Sequence, residues 1–444
     1  MIGQRTVSGP GPGPGPGPGP VEAVLAELWR GRVAEKLVAL DARNSGSDGG
    51  KPWSFEQRRE AGARLLEEEA RLYNTARLRA GEPALEALAL GRVRKSVLDA
   101  LFGMGPLQEL LDDPGIEDIH VNGFDKVVLR YADGHCEHGP TIASSERELV
   151  EMVRQLASRS GAEERRFDRA VPMLDLQLPD GSRLCAVMEV TRAVSLTIRK
   201  HRMMNATLDE LREGGMFDAE MQEFLRCCVL ARRNVLIAGG PANGKTTLLR
   251  AMGKVIPPWE KLVTVEDVRE LNLDSDGIHH NVVAMQTRPA NIENAGAIDQ
   301  SDLLRLALRM SPDRVIVGEI RGPEVVQMFA AMSQGNDGSL CSIHASDSHI
   351  AFARLASYAA LPPAGLSMEA TSLMTACSVH FVVQLGHDTS HRRCVTSVRE
   401  IVGHDGHQVV SNEVFRPGPD RRAVRGAPLR PQTRLDFDEV TARP

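Results

Sequence analysis

The chain has 444 residues, more than one hydrophobic core usually supports, so two or three domains are expected. Hydrophobic residues at 42% and charged residues at 25% are those of a globular chain, and a net charge of −6 argues against a surface that coats nucleic acid. Aromatic residues at 4% are too few for a platform on which single-stranded bases would stack. The seven cysteines are scattered and lack a CxxC pair, so no disulfide framework is expected. There is no apolar signal region at the start and no stretch near about eighteen apolar residues, which predicts a cytoplasmic chain that does not span a bilayer.

In chain order, residues 1–20 include a strict Gly-Pro alternation, which can form neither helix nor core and reads as an extended tether. Residues 21–111 carry apolar positions at helical spacing, broken by the Gly/Ser-rich segment Asn44–Lys51, and predict a small helical N-terminal region. Residues 112–205 change to short alternating runs with one helix near Glu146–Arg159, the pattern of an α+β domain with an antiparallel sheet. A linker is expected at Asn205–Gly215. Over 206–415 helices alternate with continuous apolar strands, which specifies an α/β fold with a mainly parallel sheet. The tail, 416–444, is rich in Arg and Pro and reads as disordered.

Gly239-Gly240-Pro241-Ala242-Asn243-Gly244-Lys245-Thr246 matches G-x-x-x-x-G-K-[ST], with the strand NVLIA before it and the helix TTLLRAMGKV after it. In that context backbone N–H groups converge on phosphate oxygens at a helix N-terminus, where the macrodipole favours negative charge. Lys245 is then expected to reach the β- and γ-phosphates of ATP. Thr246 is expected to supply a hydroxyl to Mg²⁺, and Thr247 to cap the helix or contact the α-phosphate.

Hydrolysis further requires carboxylates at strand ends to hold the metal and orient water. LVTVED ends in Glu266 and Asp267, and RVIVGE ends in Glu319, each after an apolar run. Glu266 is assigned as the water-activating base and Glu319 as the acidic residue acting on the metal, although the pattern allows the two roles to be exchanged. His344 closes a third strand, SLCSIHA, where an imidazole can sense the γ-phosphate. Candidates for an arginine that neutralises the transferred phosphoryl are Arg199, Arg183, Arg269, Arg288 and Arg321.

These residues resemble the secretion-superfamily ATPases, and among them the type IV secretion and Flp (Tad) pilus assembly branch that is CpaF-like. VTVEDVREL (263–271) looks like that family's Asp box, RVIVGEIRG (314–322) like its Walker B segment and QGNDGSLCSIHAS (334–346) like its His box. TRPANIE (287–293) and LRMSPDR (308–314) point to the CpaF-like branch. FGMGPLQELLDDPGIEDIHVNG (102–123), PMLDLQLPDGSRLCAV (172–187) and VSLTIRK (194–200) resemble its N-terminal domain.

The resemblance implies a RecA-like P-loop core preceded by a PAS-like α+β domain. It also implies a homohexamer with nucleotide at subunit borders, and Arg199 and Arg183 approaching the phosphates. The ring is expected to act on an inner-membrane platform protein, peripheral to the membrane through partners and without direct nucleic-acid binding. Three features depart from the family pattern. Pro241-Ala242-Asn243 replaces a Thr-Gly-Ser centre, Asn336 stands where His is usual, and Arg169 stands for an acidic residue. Two rival readings are a nucleotide-gated scaffold with little turnover and a conjugation- or effector-exporting ATPase of the same superfamily.

Overall fold

The computed structural model describes residues 20–46, 53, 55–131, 134–159, 166–178, 180–200, 206–288, 290 and 295–442. All of the tether except Pro20, together with 47–51 of the Gly/Ser segment, lies outside them. The chain divides into two compact units, one ending at Arg202 and one beginning at Met203. Among the described residues no helix is long and apolar enough to cross a membrane.

The first unit opens with helices α1 (Pro20–Gly46), α2 (Phe55–Arg79) and α3 (Ala87–Phe102). They bury Trp29, Val33, Leu66 and Val93 in a shared core. Glu69 is buried in this bundle because Lys36 and Arg32 reach it, at 2.7 and 3.2 Å. The short helix α4 (Gln108–Asp112) leads to β1 (Ile116–Asn122), β2 (Val127–Tyr131), β3 (Cys136–His138), α5 (Glu146–Arg159), β4 (Met173–Gln177), β5 (Arg183–Val187) and β6 (Ser195–Arg199). The strands form one six-stranded sheet in the order β3-β2-β1-β6-β5-β4. Alternation decides which face is covered. Leu174, Leu176, Leu184, Ala186, Leu196 and Ile198 point into a core closed by Leu149, Val153 and Leu156 of α5.

The second unit begins with α6 (Leu208–Glu213), α7 (Ala219–Leu230), β7 (Val235–Gly239), α8 (Lys245–Gly253), β8 (Leu262–Glu266), β9 (Val282–Gln286), α9 (Gln300–Ala307) and β10 (Arg314–Ile320). It continues through α10 (Val325–Ser333), β11 (Leu340–His344), α11 (Ile350–Ala359), α12 (Met368–Ser378), β12 (Phe381–His387), β13 (Arg393–His404), β14 (Val409–Pro417), β15 (Ala423–Arg425) and α13 (Pro431–Thr441). Nine strands make one sheet, β15-β14-β13-β12-β7-β11-β10-β8-β9, parallel from β12 to β9 and antiparallel from β12 to β15. Alternate residues of β7 serve two cores. Val235 and Ile237 pack with α7, α8 and α13, whereas Leu236 and Ala238 pack with α9, α10 and α11. A strand that must be apolar on both faces explains the continuous run VLIA.

Two expectations are corrected. The stretch read as a linker at 205–215 contains α6, held by a capping box in which Thr207 Oγ1 accepts from Glu210 N at 3.2 Å and Thr207 N donates to Glu210 Oε2 at 2.9 Å. The tail read as disordered, 416–444, instead carries the end of β14, then β15 and α13. Its few apolar side chains suffice because Phe437 inserts beside Phe224, with ring centroids 5.6 Å apart. Its arginines find carboxylates distant in sequence. Arg430 Nε donates to fully buried Glu400 at 3.1 Å and Arg422 pairs with Asp388 at 2.9 Å. Phe437→Ala is therefore expected to destabilise the second unit by about 3 kcal/mol. A lowered midpoint of denaturant unfolding checks it, and an unchanged midpoint would mean that α13 is not packed.

Candidate active site

Strand β7 ends at Gly239 with β11 and β12 on either side, and register sets Gly239 opposite His344 on one and Leu385 on the other. Side-chain space is closed there. A Cβ on Gly239 would come within 3.1 Å of Leu385 O, a contact tight enough that β12 would have to give by a few tenths of an ångström to admit it. The loop that follows turns through Ala242 at φ +59° and Gly244 at φ +87°, then starts α8 at Lys245. The left-handed conformation costs an alanine roughly 1 kcal/mol or more, and glycine nothing comparable. Asn243 is buried and its Nδ2 donates to Leu385 O at 3.1 Å, which ties the middle of the loop to β12.

Lys245 is 7% exposed and its ammonium is held by several acceptors. Its Nζ lies 3.2 Å from Gly239 O, 3.1 Å from Gly240 O, 3.5 Å from Glu319 Oε1 and 3.5 Å from His344 Nδ1, the ring nitrogen left to accept when Nε2 donates to Glu319. Glu319 sits where the pairing of β10 with β11 breaks register between Val317 and Ile320, an irregularity that aims its side chain toward β7. Its two oxygens face different partners. Oε1 is 2.8 Å from His344 Nε2, while Oε2 accepts from Arg321 Nε at 2.5 Å. Arg321 continues to Asp267 Oδ2 at 3.3 Å, and Gln300 Nε2 donates to Asp267 Oδ1 at 3.0 Å. Burial pulls the His344 pKa below the ordinary imidazole value, with Lys245 and Arg321 adding to that effect and Glu319 opposing it. Together these effects favour the neutral ring over the imidazolium.

Glu266 ends β8 and has a different environment. It is 3% exposed, and Oε1 accepts from Glu270 N at 2.9 Å and Leu271 N at 3.0 Å. Gly318 of the neighbouring strand makes room for it, since a Cβ there would lie 3.1 Å from Glu266 Cγ. Burial raises its pKa to about 7, against the lowering effect of the two amide hydrogen bonds. A carboxyl poised there can take a proton near neutral pH.

The remaining sequence-derived residues fall as follows. Thr246 and Thr247 occupy the first turn of α8 beside Lys245, and Pro241 is exposed at the loop's crest. Arg288 donates through Nε to Gly296 O at 2.8 Å and lines a cavity of about 440 Å³ with Asp267, Gln300, Arg321 and Glu324. Arg269 donates to Ala284 O at 2.9 Å. Arg183 and Arg199 belong to the first unit, directly opposite each other on β5 and β6, and pair with Asp175 at 3.3 Å and Asp118 at 3.9 Å. Asn336 donates to Pro312 O, and Arg169 pairs with Glu189 at 3.2 Å. Sequence reasoning missed Gln300, Asn243 as a loop tie, and Arg250. Only Arg250 carried a signal, a charge inside the apolar stretch of α8.

A family model described as "Type II/IV secretion system protein" matches residues 101–411. A putative conjugal transfer protein of Mycobacterium tuberculosis is 34% identical over 306 residues, covering 67% of this chain and 84% of that protein. Protein VirB11 of Agrobacterium fabrum is 27% identical over 310 residues, covering 63% and 87%. Among solved structures, the VirB11 ATPase from the Brucella suis type IV secretion system, in complex with sulphate, is 27% identical, covers 66% of this chain and 91% of that one, and has a TM-score of 0.36.

The loop geometry yields a test. Ala242→Gly is expected to leave stability unchanged or to raise it by up to about 1 kcal/mol, because the strain it relieves offsets the added chain entropy. Thermal unfolding checks this. A loss of about 1 kcal/mol, the ordinary result of exchanging alanine for glycine in a helix, would contradict the left-handed turn.

Proposed function

The chain belongs to the family of type II/IV secretion system proteins, and from that premise we propose that it is an ATP-hydrolysing motor of a pilus-assembly or secretion machine. In this reading the nine-stranded sheet is a RecA-like core and the six-stranded sheet a PAS-like domain. The chain works as a homohexamer on an inner-membrane platform protein, at the inner face of the membrane and without direct nucleic-acid contact. The observation that carries the proposal is the convergence of Lys245, Glu319 and His344 at the ends of α8, β10 and β11.

Each side chain then has a role. The backbone N–H groups of Gly239 to Thr247, all but that of Pro241, which has none, cradle the phosphates, and Lys245 exchanges loop carbonyls for β- and γ-phosphate oxygens. The Thr246 hydroxyl and Glu319 carboxylate form an all-oxygen donor pair of the kind Mg²⁺ takes, and they would hold it. When bound, Mg²⁺ supplies positive charge to the phosphate oxygens. Glu266 orients water and accepts its proton. His344, neutral and hydrogen-bonded to Glu319, reads the state of the γ-phosphate. Arg288, Arg199 and Arg183 are the arginines proposed to neutralise charge on the transferred phosphoryl.

Supporting the Flp/Tad, CpaF-like role are the segments TRPANIE and LRMSPDR. A second reading, export or conjugation, is favoured by the relatives named as a conjugal transfer protein and VirB11.

Glu266→Gln is expected to lower phosphate release by about 10² or more while ATP binding persists. Equal release by both proteins would instead leave a nucleotide-gated scaffold. The rate should also rise with pH through about 7 as Glu266 ionises, and that limb should vanish in Glu266→Gln. The linkage to stability has the opposite sign. Because the folded pKa is raised, the contribution of this carboxyl is fully present below the unfolded carboxyl range and is lost as pH rises through about 7.

A further inference from the structure

Helix α8 carries a second cation, Arg250, five residues beyond Lys245. It is 3% exposed, and its neighbours Leu248, Leu249, Ala251 and Met252 are fully buried. Taking a guanidinium out of water costs far more than burying an aliphatic side chain in the same place, so its hydrogen bonds matter. Two of them go to one turn. Nε donates to Leu271 O at 3.1 Å, and a second guanidinium nitrogen donates to Glu270 O. The same two residues give their N–H groups to Glu266 Oε1, at 2.9 and 3.0 Å.

The turn at 270–271 is thus gripped from both sides, by Arg250 through its carbonyls and by Glu266 through its amides. Asn272 follows at φ +50°, which closes the turn tightly. The helix also presses on the turn farther along, since a Cβ on Gly253 would meet Leu273 Cδ1 at 2.9 Å. A planar guanidinium presents donors in a fixed fork that suits two consecutive carbonyls, which a flexible ammonium matches less well.

We infer that Arg250 is a positioning residue. It fixes the two amides that orient the Glu266 carboxylate, and so sets the base relative to the helix whose first turn holds Lys245. This inference rests on the reading of Glu266 as the base. The path is short and made of hydrogen bonds: Lys245 and Arg250 share one helix, Arg250 holds the turn, and the turn holds Glu266.

The test is ATP turnover by the full chain, with KM and kcat measured separately for Arg250→Met, Arg250→Lys and each of these in the Glu266→Gln background. Arg250→Met should lower kcat by about 10²-fold, the cost of a displaced catalytic group, with the KM for ATP changed by less than about threefold. Arg250→Lys, which keeps donors near the turn, should recover part of that loss. In the residual turnover of Glu266→Gln, adding Arg250→Met should change kcat by less than about twofold, because the two act as one unit.

Equal factors in both backgrounds, or a lowered thermal midpoint with kcat intact, would overturn the positioning role and leave the motor reading standing. If Arg250→Met does not fold, the comparison of Arg250→Lys in the two backgrounds decides by the same criterion. Full turnover by Glu266→Gln would remove the base assignment on which the inference depends.

Discussion

The buried ammonium of Lys245 is the constraint on which the second unit's arrangement depends. A cation at 7% exposure has to be matched by acceptors within reach, and this one draws them from its own loop, from β10 and from β11. Such convergence requires the strand order β7-β11-β10 and a common strand direction, so that all three C-terminal ends meet at one edge. Chain order cannot supply this by adjacency, because β8, β9 and β10 are made before β11 is inserted beside β7. Crossover helices on both faces solve the problem and bury both sides of the strands.

The phosphate loop itself reconciles two opposed demands. It must approach β12 closely at Gly239 yet keep a defined shape across Pro241, Ala242 and Asn243. The Asn243 bond to Leu385 O holds the loop's middle, while Ala242 accepts a backbone conformation more natural to glycine. Local strain of this kind persists when surrounding contacts over-determine it. The departure from a Thr-Gly-Ser centre therefore comes with its own compensating contact.

Much of this was legible in the sequence, and the parts that were not share a cause. Continuous apolar runs such as VLIA and LVTV announced two-faced burial, and the spacing Gly239 to Thr246 announced a strand, a loop and a helix. Those are local patterns. The tail was misread because Arg422, Arg425 and Arg430 look solvated until Asp388, Glu220 and Glu400 are brought to them by the fold. Gln300 was overlooked because its partner Asp267 lies on another strand's end. Arg250 showed as a charge inside an apolar helix, but its role did not, because its partners are backbone carbonyls, which every residue possesses.

Sequence alone left the two glutamates exchangeable, and their surroundings now separate them. Glu319 is bordered by Lys245, Arg321 and His344, so two cations lie against its carboxyl oxygens. Among the described residues Glu266 has no cation within hydrogen-bond reach: two amides donate to it, it is 3% exposed, and burial brings its pKa to about 7. Carboxyls whose environments differ in this way suit different tasks, and only Glu266 has the burial that lets it gain and lose a proton near neutral pH. The division supports the proposed assignment of Glu319 to the metal and Glu266 to the water. It follows from burial and neighbours, and would persist if the two residues' places in the sequence motifs were ignored.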